Sequence, residues 1–200
     1  MYKRQDIYDK FVAEAVKRFN SVKVGNPLNE DTQMGSQIYA AQVQKVLDYV
    51  EIAKKEGATI ACGGYKLTEN GLDKGNFVAP TLITNVTNDM RVAQEEIFGP
   101  VAVVIKFKDE QEVIDMANDS IYGLGGAVWT QDINRAIRVS RAIRTGRMWV
   151  NCYNSIPAGA PFGGYKQSGI GRETHKVILE HYTQQKNIMI NLSEKPLGLY

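Results

Sequence analysis

The sequence predicts an α/β fold built on a parallel sheet. In the second half of the chain, short apolar runs at 101–107, 126–130 and 148–151 alternate with amphipathic segments at 109–118 and 132–145. Short strands that alternate with helices are typical of a parallel sheet covered by helices on both faces. Ligands of such sheets bind beyond the carboxyl ends of the strands.

The first half of the chain predicts two helices followed by strands. Apolar residues recur at helical spacing over 6–19 and again over 37–56, and Gly57 stands where a left-handed cap ends a helix. The segments 58–62 and 77–86 have the length and apolar content of strands.

Two helix ends of the alternating region carry cap signals. Asp109 with Glu112 three positions later resembles a capping box at the start of the helix over 109–118. Gly146 is predicted to end the helix over 132–145 as a C-terminal cap.

The C-terminal end predicts a short helix over 173–181 and then a strand over 187–192, in which apolar residues alternate with polar ones. A strand at a chain end exposes backbone groups that another chain can pair. We therefore expect the stretch 182–200 to form a subunit contact.

Composition excludes several classes of function. Lys and Arg number 24 against 22 acidic residues, so no excess of positive charge is left to neutralise a nucleic-acid backbone. No run approaches the ~20 apolar residues that span a bilayer. The two cysteines lack C-x-x-C spacing, and reduced thiols are typical of a cytoplasmic protein. We expect neither a nucleic-acid partner nor a membrane partner.

One motif, Glu95-Glu96-Ile97-Phe98-Gly99-Pro100, joins two carboxylates to an aromatic side chain and a turn. A carboxylate can accept hydrogen bonds from ribose hydroxyls, and an aromatic ring can pack against a nicotinamide ring. The simpler interpretation is a solvated acidic loop that leads into a strand.

A second motif, Pro161 to Glu173, contains four glycines but lacks both G-x-x-x-x-G-K-[ST] and G-x-G-x-x-G spacing. It is therefore predicted to be a tight, ordered loop and not a phosphate site.

Neither the cysteines nor the histidines predict a catalytic or metal site. Cys152 follows a strand, and the sequence places no histidine, lysine or acid beside it to activate it as a nucleophile. Both Cys152 and Cys62 are therefore expected to be small buried thiols, the commoner fate of a lone cysteine. His175 and His181 are spaced so that one helix would not present both on the same face. No metal is expected.

These motifs, with Trp149-Val150-Asn151 between them, closely resemble the aldehyde dehydrogenase family. The resemblance implies the three-layer catalytic domain of that family, here partial over residues 6–181, with the C-terminal strand joining subunits of a homo-oligomer. It also implies oxidation of an aldehyde to a carboxylic acid with NAD or NADP through a cysteine thiohemiacetal.

The same resemblance assigns site residues. Glu96 would hold the nicotinamide ribose and Phe98 would contact the nicotinamide ring, while Ile156 and Phe162 would line the aldehyde tunnel. No catalytic residue matches, because the family's nucleophile, general base and main cofactor domain precede the matched region. Residues 1–5 then correspond to a truncation seam, and the isolated chain is expected to be inactive.

Two alternatives stay open. The chain could be a non-catalytic assembly module that pairs with full-length aldehyde dehydrogenase subunits through its terminal strand. It could also derive from a semialdehyde or phosphorylating relative of the same fold, since the tunnel residues do not identify the aldehyde.

Overall fold

The computed structural model describes residues 1–195 and residue 198. The chain forms two compact units. The N-terminal unit comprises Met1–Ile121 together with Arg141–Ile143, and the C-terminal unit comprises Tyr122–Ser140 together with the chain from Arg144 onward.

The N-terminal unit contains most of the helices and strands. In chain order they are β1 (Tyr2–Arg4), α1 (Tyr8–Asn20), α2 (Ala40–Lys55), β2 (Thr59–Cys62), a 3₁₀-helix (Glu69–Lys74), β3 (Thr81–Thr84), α3 (Arg91–Gln94), β4 (Val101–Val103), β5 (Ile105–Phe107) and α4 (Glu110–Asn118).

Its strands pair mainly in parallel. Strand β3 lies between β4, which is parallel to it, and β2, which is antiparallel and has a register shift between Ile60 and Cys62. Strand β5 pairs in parallel with β1, so part of the stretch 1–5, predicted to be a truncation seam, forms a strand of a sheet. The predicted run 101–107 is interrupted at Val104, whose backbone N–H donates to the Ile83 carbonyl over 3.0 Å. One extended segment therefore bonds first to β3 and then to β1.

An apolar core fills the N-terminal unit. In the first of its two clusters, α2 packs against β3 and against the segment that precedes β4. In the second, α1 packs against Leu82 and Val104. Burying such side chains stabilises a fold by roughly 1.5–3 kcal/mol each. The completely buried side chains are Val46, Val78, Leu82, Ile83, Val104, Ala53 and Thr81.

The predicted helix caps have mixed outcomes. The Asp109 carboxylate accepts the Glu112 N–H over 2.9 Å, which confirms the cap of α4. Gly57 follows α2 with a φ of +92°, as predicted for a left-handed cap. The prediction for Gly146 was wrong, because α5 (Ile133–Ala142) ends well before it.

The C-terminal unit is built around one parallel pair. Strands β7 (Gly125–Val128) and β8 (Arg147–Val150) run parallel and are connected through α5, which confirms the predicted β-α-β arrangement over 126–151. Strands β6 (Tyr122–Gly123) and β9 (Tyr165–Lys166) pair antiparallel and were not predicted.

The predicted helix over 173–181 is shorter in the structure. Only a 3₁₀-helix (Lys176–Ile178) and α6 (Leu179–Tyr182) form. Thr174 and His175 both have positive φ, which no helix tolerates, and this explains the late start. None of the helices that the structure describes has the length and apolar character needed to cross a bilayer.

The predicted strand over 187–192 does not form within the chain. The segment is exposed and forms no strand hydrogen bonds with the residues that the structure describes, because alternation supplies a strand pattern but not the neighbouring strand that completes it. Its role as a subunit contact stays a prediction. Residues 196, 197, 199 and 200 of the predicted tail lie outside the described residues.

Candidate functional site

The segment 95–99 connects α3 to β4, and side chains of helix α2 hold its backbone. Gln42 Nε2 donates to the Ile97 carbonyl over 3.0 Å and to the Phe98 carbonyl over 2.7 Å. Lys45 Nζ donates to the Glu96 carbonyl over 3.1 Å. These donors lie nearly one helical turn apart on α2, so they meet consecutive carbonyls of the segment.

Glu95 anchors the start of this segment. Its carboxylate receives two hydrogen bonds from Arg91, each 2.9 Å long, and one from the Tyr49 hydroxyl over 2.7 Å. These bonds, with Arg91 contributing most, lower the pKa of Glu95 to about 2. Glu95 therefore has the contacts of a structural residue.

Phe98 has an unusual backbone conformation. Its φ is +61°, and its side chain is 73% exposed although it is aromatic. A positive φ is uncommon for residues other than glycine, and an exposed strained residue is more often associated with function than with packing. The two hydrogen bonds from Gln42 stabilise this conformation from the carbonyl side.

Two neighbours fix where the segment lies. The Ile97 side chain is buried in the core, whereas the side chains on either side of it, Glu96 and Phe98, are exposed. Gly99 approaches α2 so closely that a Cβ there would be 2.4 Å from Val46 Cγ2. Glycine is needed at this position because a side chain would displace the segment.

A shallow cleft of about 430 Å³ opens at this segment. It is lined by residues 95–99 with Val92, Val101 and Val103. The structure thus places both predicted cofactor residues, Glu96 and Phe98, at one cleft. A carboxylate beside an aromatic ring can bind a ligand that carries hydroxyl groups and a flat ring.

The predicted aldehyde residues lie in the C-terminal unit. Ile156 is 44% exposed and belongs to an irregular loop after β8. Phe162 is half-buried, and its backbone exchanges two hydrogen bonds with Glu173, of 2.9 and 2.6 Å. The Arg147 guanidinium lies 5.2 Å from the centre of the Phe162 ring.

The glycine-rich stretch is a tight loop, as its spacing predicted. A Cβ at Gly146 would be 1.6 Å from the Gly163 carbonyl oxygen, and one at Gly163 would be 2.4 Å from that of Gly171. The absence of a side chain at Gly146 therefore allows two backbone segments to come into contact, which corrects the prediction of Gly146 as a helix cap.

The two free cysteines differ in their surroundings. Cys62 is half-buried beside the second core cluster, and burial raises the pKa of its thiol, so it is a poor nucleophile at neutral pH. Cys152 is exposed, which corrects the expectation of a buried thiol. The loop after β8 turns outward at Asn151, whose φ is +54°.

Sequence reasoning missed Gln42, Lys45 and Arg147. The available signals were polar residues at 42, 45 and 49, which recur at helical spacing on α2, and a single cation inside the apolar strand Arg147-Met148-Trp149-Val150. Neither signal identifies the backbone carbonyl to which each side chain donates a hydrogen bond.

Parallel strands connected through helices define an α/β protein, and Glu96 and Phe98 line one cleft of its N-terminal unit. The model of the aldehyde dehydrogenase family matches residues 1–188. The chain belongs to the aldehyde dehydrogenase family.

Individual relatives agree with this assignment. Aldehyde dehydrogenase B of Escherichia coli (strain K12) is 50% identical over 198 residues, which is 98% of this chain and 38% of that protein. Betaine aldehyde dehydrogenase from Staphylococcus aureus, solved in complex with NAD+, has a TM-score of 0.95 and 44% identity, over 100% of this chain and 40% of its own. An aldehyde dehydrogenase from Bacillus cereus has a TM-score of 0.91 and 45% identity, over 96% and 38% of the two chains.

This chain therefore spans about two fifths of the length of the relatives that it matches. Both predicted pairs of site residues fall within the span that the S. aureus structure covers.

Proposed function

We propose that this chain is the C-terminal catalytic-domain portion, over residues 6–181, of an NAD(P)-dependent aldehyde dehydrogenase that oxidises an aldehyde to a carboxylic acid. The observation that carries the proposal is the exposed Phe98 ring, held at positive φ beside the Glu96 carboxylate. A residue in a costly conformation persists where the surrounding structure imposes it, and here α2 does so through Gln42.

The residues at this cleft fit a nicotinamide cofactor. Glu96 would accept hydrogen bonds from the ribose hydroxyls, and Phe98 would pack against the ring. Bound NAD(P)+ supplies the hydride acceptor. The chain's own contribution is to place these two side chains, through the bonds from Gln42 and Lys45 to the backbone of the segment.

On the aldehyde side, Ile156 and Phe162 would line the tunnel and exclude water from the aldehyde carbon. The nucleophilic cysteine would come from outside this chain. Two observations support this: burial raises the pKa of the Cys62 thiol, and no base among the described residues forms a hydrogen bond to the exposed Cys152.

The test is aldehyde-dependent formation of reduced cofactor by the full gene product. Glu96→Gln should raise the KM for NAD(P)+ by about tenfold, since a hydrogen bond to a charged acceptor is lost. Glu51→Gln is the matched control, because among the described residues the Glu51 carboxylate accepts its hydrogen bond from Lys54, on the exposed face of α2. An unchanged cofactor KM in Glu96→Gln would remove Glu96 from the cofactor site.

The isolated 200-residue chain should show no such activity. An aldehyde-dependent rise in reduced cofactor that Cys62→Ser or Cys152→Ser abolishes would contradict this, because it would place the nucleophile within the chain.

We further propose that the stretch 182–200 joins subunits of a homo-oligomer, supported by the exposed apolar side chains of Ile188, Ile190 and Leu192. The two free thiols support a cytoplasmic location.

The same exposed segment favours one second candidate, a non-catalytic module that pairs with full-length subunits. Such a module should fold cooperatively and remain monodisperse alone. Size-exclusion chromatography with multi-angle light scattering distinguishes the two, because a fragment of a catalytic domain should aggregate through its exposed apolar surface.

A further inference from the structure

The loop from Asn151 to Pro161, which carries Ile156, has no core of its own. Every residue from 151 to 159 is exposed, and the loop contains no helix or strand. Asn151 and Asn154 both have positive φ, so the loop contains two uncommon backbone conformations. Its shape must therefore come from contacts at its edges.

The largest set of these contacts belongs to Arg147 on β8. Its guanidinium donates to the Ala160 carbonyl over 3.1 Å, to the Pro161 carbonyl over 3.0 Å and to the Ser155 carbonyl over 3.4 Å. Trp149 Nε1 adds a bond of 2.8 Å to the same Ser155 carbonyl. Arg147 thus connects the middle of the loop to its end.

Arg147 is a buried cation, with only 9% of its surface exposed. None of the ion pairs that the structure describes includes it. Its surroundings are loop carbonyls and two aromatic rings, Phe162 at 5.2 Å and Trp149 at 5.9 Å. A buried charge is costly, and the planar fork of arginine offsets that cost through several directed hydrogen bonds.

The position of this charge affects the Phe162 ring. An aromatic face attracts cations through its quadrupole, and the guanidinium already occupies that interaction. The guanidinium would repel a second cation near the ring, because the two charges have the same sign. An apolar aldehyde could contact Ile156 and the ring without this repulsion.

We propose that Arg147 is a positioning residue for the proposed aldehyde tunnel, where it fixes Ile156 and Phe162 and favours an uncharged aldehyde over a quaternary ammonium aldehyde. The proposal rests on the proposed function. It predicts a role in aldehyde KM and selectivity, with little effect on cofactor binding.

The experiment compares wild-type full gene product with Arg147→Met and Arg147→Lys, using hexanal and betaine aldehyde as substrates. Arg147→Met should raise the KM for hexanal about tenfold with little change in kcat, since the loop loses its anchor. It should also shift the ratio of kcat/KM values towards betaine aldehyde by about tenfold, because a like charge is removed. The KM for NAD+ should stay within about twofold.

Arg147→Lys separates the two roles and serves as the second variant if Arg147→Met does not fold. It retains the charge, so the preference for hexanal should persist, but it lacks the fork, so the KM for hexanal should still rise. The matched control is Arg141→Met, an exposed arginine whose loss should alter none of these values.

The outcomes are distinguishable. Inactive wild type with both aldehydes would overturn the proposed function and this inference with it. Active wild type, with Arg147 variants whose aldehyde KM and selectivity match Arg141→Met, would overturn the inference alone. An equal rise in the KM values for aldehyde and NAD+ would also overturn it, because that result indicates general disruption.

Discussion

In the N-terminal unit, the largest fully buried side chains among the described residues are almost all apolar, and they lie on α2, β3 and the strands beside it. In the C-terminal unit, the buried side chains include Arg147 and Trp149, and glycines bring backbone segments into direct contact. Apolar packing resists small changes of shape collectively, whereas directed polar contacts fix a shape through a few atoms. The segment 95–99 therefore lies on a large apolar core, whereas the shape of the loop 151–161 depends on a few polar contacts.

The largest effect should come from the apolar core. Leu82→Ala should destabilise the chain by about 3 kcal/mol, because the Leu82 side chain is completely buried and its truncation would leave a cavity. Urea unfolding measures the loss. Leu28→Ala is the matched control, since Leu28 is 88% exposed and should change stability by less than about 0.5 kcal/mol. Equal effects would show that β3 is not part of a cooperative core.

Next in size is the backbone contact of the C-terminal unit. Gly146→Ala should cost about 2 kcal/mol, because the added Cβ would overlap the Gly163 carbonyl. Gly159→Ala tests the same substitution in open space, with no atom within 4 Å of the added Cβ. Thermal unfolding that ranks the two alike would contradict the close approach.

A smaller effect is expected where polar contacts hold the segment 95–99. Gln42→Ala should cost about 1 kcal/mol and loosen the amides of residues 96–99, since two hydrogen bonds to carbonyls are lost. Hydrogen exchange measures this local change. Gln44→Ala is the control, because the bond that it removes joins Gln44 to Asp48 on the exposed face of α2, so exchange at 96–99 should not change.

The smallest effect concerns pH. The pKa of Glu95 is lowered to about 2 from its ordinary 4.5, mainly by Arg91 and then by Tyr49, so the charged form is favoured in the folded state. Its stabilising contribution is complete above pH 4.5 and is lost as the pH falls towards 2. Urea midpoints of wild type should thus fall more steeply across this window than those of Glu95→Gln. Parallel curves would exclude a stabilising role for the Glu95 contacts.

Local sequence patterns predicted much of the fold. Apolar spacing predicted α1, α2, α4 and α5, and the alternation of strands with helices predicted the parallel pair β7 and β8. The cap of α4 at Asp109 was also predictable, because its two partners are three residues apart.

Failures occurred where structure depends on distant residues. The segment 187–192 has a strand pattern but pairs with no strand among the described residues. Gly146 is a residue type that often caps helices, but here it allows a close approach to the Gly163 backbone. Antiparallel β6 and β9 consist of two residues each, too few to show a periodicity.

For the candidate site, the sequence by itself determined which residues are present: the carboxylate and ring of Glu96 and Phe98, the apolar Ile156 and Phe162, and a family resemblance that the comparisons confirm. Only the tertiary structure decided what holds them. Gln42 meets the Phe98 carbonyl across 56 positions of sequence, and Arg147 meets loop carbonyls that no local pattern specifies. Helical and strand periodicities arise from neighbouring residues, whereas a hydrogen bond to a distant carbonyl exists only after the chain has folded.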